Sequence, residues 1–119
     1  MLNVELRNVA VQYDAYLAVE DISFDVPGGQ FVAIVGPTGS GKSSLLNVVA
    51  GLLPTAQGTV CTAGRPVGGV NRDCGYMFQT DALLPWKTAL DNVLLGPILR
   101  GMSKPEATVL AGHWLARSN

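Results

Sequence analysis

One run of eight residues dominates this sequence: Gly36-Pro37-Thr38-Gly39-Ser40-Gly41-Lys42-Ser43. It matches G-x-x-x-x-G-K-[S/T], the pattern of loops that cradle phosphate groups. Residues 30–35 before it are almost wholly apolar, which is typical of a strand buried on both faces of a parallel sheet. Apolar residues recur at helical spacing in residues 45–52 after it. The sequence therefore predicts a strand, a phosphate-binding loop and a helix, in that order.

The residue types of this loop suit an anion. The start of a helix has unpaired N–H groups and the positive end of the helix dipole, and glycines let the backbone approach a ligand closely. We expect the amides of residues 39–44, including Ser44, to point inward as an anion-binding nest. Lys42 would supply a cation for the outer phosphates, and Ser43 a hydroxyl for Mg²⁺, which prefers oxygen ligands. The alternative is a Gly/Ser-rich turn that binds nothing.

The composition limits the other possibilities. At 119 residues the chain suits one domain, and with 48% hydrophobic residues a sizeable core is possible. The net charge of −1 gives no electrostatic reason to expect nucleic acid binding. The sequence shows neither a signal-peptide pattern nor an unbroken apolar span of bilayer length, so a cytosolic protein is expected unless a partner holds it elsewhere.

Cysteine and histidine are too few and too dispersed for a metal site. Cys61 and Cys74 stand in no metal-ligand spacing, and His113 is the only histidine. Small buried thiols are expected at the two cysteines in preference to a disulfide. His113 falls in a predicted helix, where a structural role is the default.

The segments before the loop favour antiparallel strands. Apolar residues alternate from residue 4 to residue 11, with a change of parity near Asn8 that predicts a β-bulge. Residues 13–17 are expected to connect this strand to a second one over residues 22–26, and residues 27–29 to form a turn.

Beyond the loop, Gly51 and Pro54 are expected to end the helix. A short strand over residues 59–62 and a buried strand over residues 75–78, closed by Gln79, should follow. Thr88 and Ser103 each precede an acidic residue by three positions, as in capping boxes that open helices. The first of these helices is expected to stop at Leu95, because Gly96 and Pro97 follow.

Four features together resemble the N-terminal part of an ABC transporter ATP-binding subunit. They are the run FVAIVGPTGSGKSSLLNVVAG at residues 31–51, Tyr13 ahead of Asp-Ile-Ser-Phe at 21–24, Gly-Tyr-Met-Phe-Gln at 75–79, and LLPWKTALDNV at 83–93. The last is similar to importers of the nitrate, sulfonate and taurine group. The resemblance implies a P-loop NTPase of the ABC ATPase type, an α/β fold with an N-terminal antiparallel β portion, a phosphate-loop βα core and an incomplete sheet.

The resemblance also implies roles for single residues. Tyr13 would stack on the adenine of ATP, with Tyr16 as a second candidate and packing as the alternative for both. Gln79, in the glutamine loop, would reach Mg²⁺ and the attacking water, so that Lys42 and Gln79 form the catalytic pair. A surface for a membrane subunit would be formed by Leu83, Leu84, Pro85 and Trp86. The implied assembly is a peripheral subunit at the cytoplasmic face of the membrane, with a permease, a second copy of the ATPase subunit and, indirectly, a solute-binding protein.

The sequence departs from the family pattern by omission. No L-S-G-G-Q-like signature occurs, and no aspartate follows a run of four apolar residues, so the second Walker motif and its glutamate are absent. We therefore expect residues 1–119 to be the N-terminal part of the domain, with the C-terminal half absent, exposed apolar edges and a tendency to aggregate. Two other functions stay open: a nucleotide-binding module without hydrolysis, and another phosphate-loop enzyme such as a kinase or GTPase. The guanine-reading motif N-K-x-D does not occur, which weighs against a GTPase.

Overall fold

The computed structural model describes residues 2–118. The chain divides into two compact units, one up to Met77 and one from Phe78 onward. The first unit holds four strands and one helix: β1 (Val4–Tyr13), β2 (Tyr16–Val26), α1 (Lys42–Val49), β3 (Gln57–Thr62) and β4 (Arg65–Pro66). The second holds two helices, α2 (Ala89–Leu99) and α3 (Lys104–Arg117).

The strands of the first unit form one antiparallel sheet in the order β2-β1-β3-β4. The predicted bulge in β1 is confirmed, because the register shifts between Leu6 and Val9 and Asn8 has a φ of 48°. The Asn8 amide N–H donates to Ser23 Oγ at 2.8 Å, and its side-chain amide donates to Asp21 Oδ1 at 2.8 Å. The bulge thus redirects two of its polar groups to side chains of β2.

The hairpin between β1 and β2 is tighter than predicted. Tyr13 pairs directly with Tyr16, so only Asp14 and Ala15 form the turn, and the expected connection over residues 13–17 is wrong. Asp14 adopts a φ of 46°, which aspartate tolerates better than most residues. Two tyrosines therefore lie opposite each other at the tip of the hairpin.

Helix α1 covers one face of this sheet. Leu45 and Val48 on the helix pack into a core with buried residues of β1 and β3, namely Leu6, Val9, Val11 and Val60. The predicted helix and the predicted strand at residues 59–62 are both confirmed. Burial of each large side chain in such a core contributes about 1.5–3 kcal/mol, so this cluster anchors the helix on the sheet.

Two predicted buried strands are not present in the part of the chain that the structure describes. Residues 30–35 and 75–78 do not form strands, and within residues 2–118 neither segment pairs with another strand. Phe31 is 96% exposed and Met77 94% exposed, instead of buried. An apolar run becomes a strand only when a neighbour supplies hydrogen-bond partners, and here no described segment does so. The exposure of apolar surface that the sequence led us to expect is confirmed at these segments.

The second unit is a pair of packed helices. Leu94 of α2 is buried with Ala107 and Ala111 of α3. Thr88 caps α2 by accepting from the Asp91 amide at 3.1 Å, as predicted. The predicted end of this helix at Leu95 is wrong, because α2 continues through Pro97 to Leu99. Pro97 lacks a backbone N–H to donate, but the carbonyls of residues 96–98 accept hydrogen bonds from the amides of residues 100–102, so the last turn of the helix is still closed.

Within residues 2–118 we find no helix with both the length and the apolar character needed to cross a bilayer.

Gly51 ends α1 in a position that no other residue fits. Its φ is 69°, and a Cβ atom there would overlap the carbonyl oxygen of Gly69 in a neighbouring loop. Gly64, in the turn between β3 and β4, has a similar φ of 71° but open space around it. The two glycines therefore separate the cost of the backbone conformation from the cost of the steric overlap.

We predict that Gly64→Ala lowers the free energy of unfolding by about 1 kcal/mol, the cost of a left-handed residue with a side chain. Gly51→Ala should lower it by about 3 kcal/mol, because the loop at Gly69 must also move. Urea unfolding of the chain followed by circular dichroism measures both. Equal losses in the two variants would contradict the packing described at Gly51.

The capping box of α3 gives a second prediction. The Ser103 hydroxyl donates to the Glu106 carboxylate at 2.6 Å and the Ser103 amide donates at 3.3 Å, and these bonds hold the pKa of Glu106 below its usual value of 4.5. A carboxylate with a lowered pKa stabilises the fold above its unfolded pKa, and this contribution is lost as the pH falls through the folded pKa. We therefore expect the start of α3 to loosen below pH 4.5 in the native chain and to show no such transition in Glu106→Gln. Amide hydrogen exchange of residues 104–108 measures this, and identical pH profiles would show that the box contributes nothing.

Candidate functional site

The backbone of residues 36–41 prepares the start of α1. Gly39 and Gly41 adopt φ angles of 81° and 88°, in the left-handed region that favours glycine. The Ser40 amide donates to the Pro37 carbonyl at 3.3 Å, and Gly41 is the N-cap of α1, with its carbonyl accepting from the Leu45 amide at 2.9 Å. Left-handed glycines ahead of a helix start suit a nest in which successive N–H groups converge on an anion.

Gly41 also joins the loop to the sheet. A Cβ atom at this position would overlap the side chain of Val19 and lie 2.6 Å from the carbonyl oxygen of Ala18. The start of β2 therefore lies directly against the start of α1. Glycine is required at position 41 for two reasons: its positive φ and the close approach of β2.

Lys42 turns back over its own loop. Its Nζ donates to the Gly36 carbonyl at 2.9 Å, to the Pro37 carbonyl at 2.6 Å and to Ser40 Oγ at 3.2 Å. The ion pairs found among residues 2–118 join Arg7 to Glu5 and Asp25, and Arg65 to Asp73, so the Lys42 ammonium has only neutral partners there. Because charged oxygens form stronger bonds to an ammonium than carbonyls do, a phosphate entering the loop could take over this cation.

The two serines after Lys42 differ in exposure. Ser43 is exposed at the first turn of α1, and Ser44 is half-buried. Ser44 Oγ lies 3.1 Å from Tyr13 Oη, within hydrogen-bond distance. This contact brings the predicted adenine-stacking residue to the helix start that carries the predicted phosphate loop. Sequence reasoning missed it, since the two residues are 31 positions apart.

Gln79 lies in the exposed loop that opens the second unit, and not at the end of a strand as predicted. Its predicted part in catalysis and Mg²⁺ binding stays a prediction.

The predicted partner surface is presented by a loop that α2 holds in place. Leu83 is 67% exposed and Trp86 76% exposed, Pro85 is exposed too, and Leu84 is half-buried. The Asn92 side chain accepts from the Leu84 amide at 2.8 Å and donates to the Leu84 carbonyl at 3.2 Å. Sequence reasoning did not identify Asn92 as the residue that fixes this loop, although a polar side chain in the first turn of an apolar helix was a signal.

The other side chains considered are the acidic, cysteine and histidine side chains of residues 2–118. No group of three or more His, Cys, Asp or Glu side chains in the described part of the chain could hold a metal ion. Within residues 2–118 neither Cys61 nor Cys74 is in a disulfide, and both are half-buried and not fully buried as predicted. His113 is exposed on α3 and meets the Trp114 ring edge-on. For Mg²⁺, the exposed Ser43 hydroxyl is a suitable oxygen donor, and it would bind the ion together with phosphate oxygens and water.

Comparison with known proteins identifies the family and the fold. The family described as ABC transporter matches residues 19–118. The taurine import ATP-binding protein TauB of Mesorhizobium japonicum is 42% identical over 118 residues, covering 98% of this chain and 46% of that protein. TauB of Rhizobium johnstonii is 45% identical over 109 residues, and the alignment covers 89% of this chain and 42% of that protein. The chain thus spans under half the length of the curated relatives it matches.

A solved structure agrees with these matches. The ATP-binding cassette MJ0796, described as a dimer in a post-hydrolysis state bound to ADP and Pi, superposes with a TM-score of 0.82. The two sequences are 31% identical, and the alignment covers 92% of this chain and 54% of that one. The fold is therefore that of a P-loop NTPase with an incomplete sheet, and the chain belongs to the ABC transporter family.

Proposed function

We propose that this chain is the nucleotide-binding part of an ATP-hydrolysing subunit that energises an importer. The observation that carries the proposal is the loop at the start of α1, where glycine geometry, the helix dipole and the Lys42 ammonium come together. Lys42 Nζ lies 2.9 Å and 2.6 Å from the carbonyl oxygens of Gly36 and Pro37, which are neutral. The ammonium can therefore move to an anion in the loop without breaking an ion pair. A nucleotide polyphosphate is the anion that this arrangement suits best.

Each predicted site residue then has a task in binding and hydrolysis. The loop residues Gly36 to Ser43, with Ser44, would hold the phosphates, and Tyr13 would stack on adenine. Ser43 and Gln79 would hold Mg²⁺, and Gln79 would orient the attacking water. Phosphoryl transfer depends mainly on positioning and on stabilising charge, and Lys42 supplies the charge on this chain. When bound, Mg²⁺ would neutralise charge on the phosphate oxygens.

The relatives support an importer for a small anionic solute of the nitrate, sulfonate or taurine type. Two of them are named as taurine import proteins, and both align with most of this chain. Solute choice would be made by other subunits, since the described site on this chain suits a polyphosphate.

The proposed partners are a transmembrane permease, a second copy of the ATPase subunit and, indirectly, a solute-binding protein. Leu83 and Trp86 support the permease contact, because two large apolar side chains on a loop anchored by Asn92 form a ready docking surface. The related cassette is described as a dimer, which supports the second copy. With such partners the protein would be peripheral, at the cytoplasmic face of the membrane.

A second candidate is a nucleotide-binding module that does not hydrolyse ATP by itself. The sequence contains no L-S-G-G-Q-like signature. It also lacks the second Walker motif, whose aspartate would help to hold the metal and whose following glutamate would activate water. We propose that residues 1–119 are the N-terminal part of an ABC ATP-binding domain and that binding and hydrolysis are separable on this chain.

The first test removes the cation. Lys42→Ala should weaken the binding of Mg·ATP by roughly 10- to 100-fold, because one charged hydrogen-bonding partner of the phosphates is lost. Lys104→Ala is the matched control, since it removes the same charge at the start of α3. Isothermal titration calorimetry on the chain measures both. Unchanged affinity in the Lys42 variant would refute the assignment of the loop.

The second test separates binding from hydrolysis. We expect the 119-residue chain to bind Mg·ATP and yet to release phosphate at the rate of the Lys42→Ala variant, because the general base is absent. A coupled phosphate-release assay at saturating ATP measures this. Turnover clearly above that variant would contradict the proposed inactivity of the isolated chain and favour a complete site.

A further inference from the structure

The tip of the β1–β2 hairpin is attached to the start of α1 at two points. One is the backbone contact, where Ala18 and Val19 of β2 lie against Gly41. The other is the hydrogen bond between Tyr13 Oη and Ser44 Oγ at 3.1 Å. The first fixes the hairpin backbone and the second fixes the far end of one side chain.

Tyr13 is suited to be held in this way. It is the last residue of β1, it pairs with Tyr16 across a two-residue turn, and it is 41% exposed. An aromatic ring at an exposed hairpin tip would otherwise sample several rotamers, and ordering such a side chain on binding a ligand costs free energy. A hydrogen bond at the hydroxyl restricts that freedom, while the residue stays partly exposed.

Ser44 connects this ring to the anion-binding part of the site. It is the third residue of α1, half-buried, and its amide belongs to the set expected to face phosphate. Its side chain is directed to Tyr13, so one residue touches both halves of a nucleotide site. The bond therefore couples the position of the ring to the position of the first helical turn.

We propose that the Tyr13–Ser44 hydrogen bond is a positioning contact that preorganises the adenine side of the site before nucleotide binds. The inference rests on the proposed function and adds a role for the two hydroxyl groups. The proposal predicts that loss of this hydrogen bond affects two ligand classes differently. A ligand with a base would use the positioned ring, whereas a bare polyphosphate would not.

The experiment compares Mg·ATP with inorganic tripolyphosphate by calorimetry. Tyr13→Phe keeps the ring and removes only the hydroxyl. It should weaken the binding of Mg·ATP by roughly three- to tenfold and leave the affinity for tripolyphosphate unchanged. In a Ser44→Ala background, Tyr13→Phe should cause no further loss of ATP affinity. In a Ser44→Thr background, which keeps a hydroxyl at position 44, Tyr13→Phe should again weaken ATP binding as it does in the wild type. Tyr76→Phe is the matched control, because Tyr76 also bonds α1 through its hydroxyl, to Asn47 Oδ1 at 2.6 Å, outside the proposed site.

The control should lose stability in urea without losing ATP affinity, which separates positioning from a general structural effect. Wild-type affinity in Tyr13→Phe would overturn the proposal, and tighter binding would show that the bond obstructs the site. An equal loss for ATP and tripolyphosphate would also overturn it, because the contact would then shape the loop and not the ring. If the wild-type chain bound neither probe, the proposed function would fail, and this proposal with it.

Discussion

The left-handed conformation of Gly41 is the constraint on which the site depends. It turns the loop into α1, and the absence of a side chain lets β2 lie against the helix start. A residue with a Cβ would push the hairpin away from the helix and remove the contact that brings Tyr13 to Ser44. Three parts of the site, the loop amides, the lysine and the aromatic ring, therefore depend on one position without a side chain.

The local features of the fold could be read from the sequence because each depends on neighbours in the chain. The bulge at Asn8, the helix after the loop, the end of that helix at Gly51 and the caps at Thr88 and Ser103 all follow from residues within a few positions. Residues 30–35 and 75–78 show the limit of this reasoning. Their composition suits buried strands, but a strand also needs a paired neighbour, and within the described residues none is present. The apolar surface stays exposed at Phe31 and Met77 for that reason.

The site likewise combines features that depend on neighbouring residues with features that depend on distant ones. The proposed phosphate loop could be read from the sequence because its eight residues are consecutive. The contact of Ser44 with Tyr13 and the anchoring of the Leu84 backbone by Asn92 were not, since both depend on how distant segments pack. Pro97 differs from both cases: proline usually ends a helix, but α2 continues past it because the carbonyls of residues 96–98 still find donors.

The central claim is that the amides at the start of α1 converge on a nucleotide polyphosphate. The most direct measurement is a ¹⁵N–¹H correlation spectrum of the chain during titration with Mg·ATP. We expect the amide signals of residues 39–44 to move together and furthest, with smaller changes at Tyr13 and none in α3. Unmoved loop signals at saturating nucleotide, or the largest changes far from α1, would contradict the account.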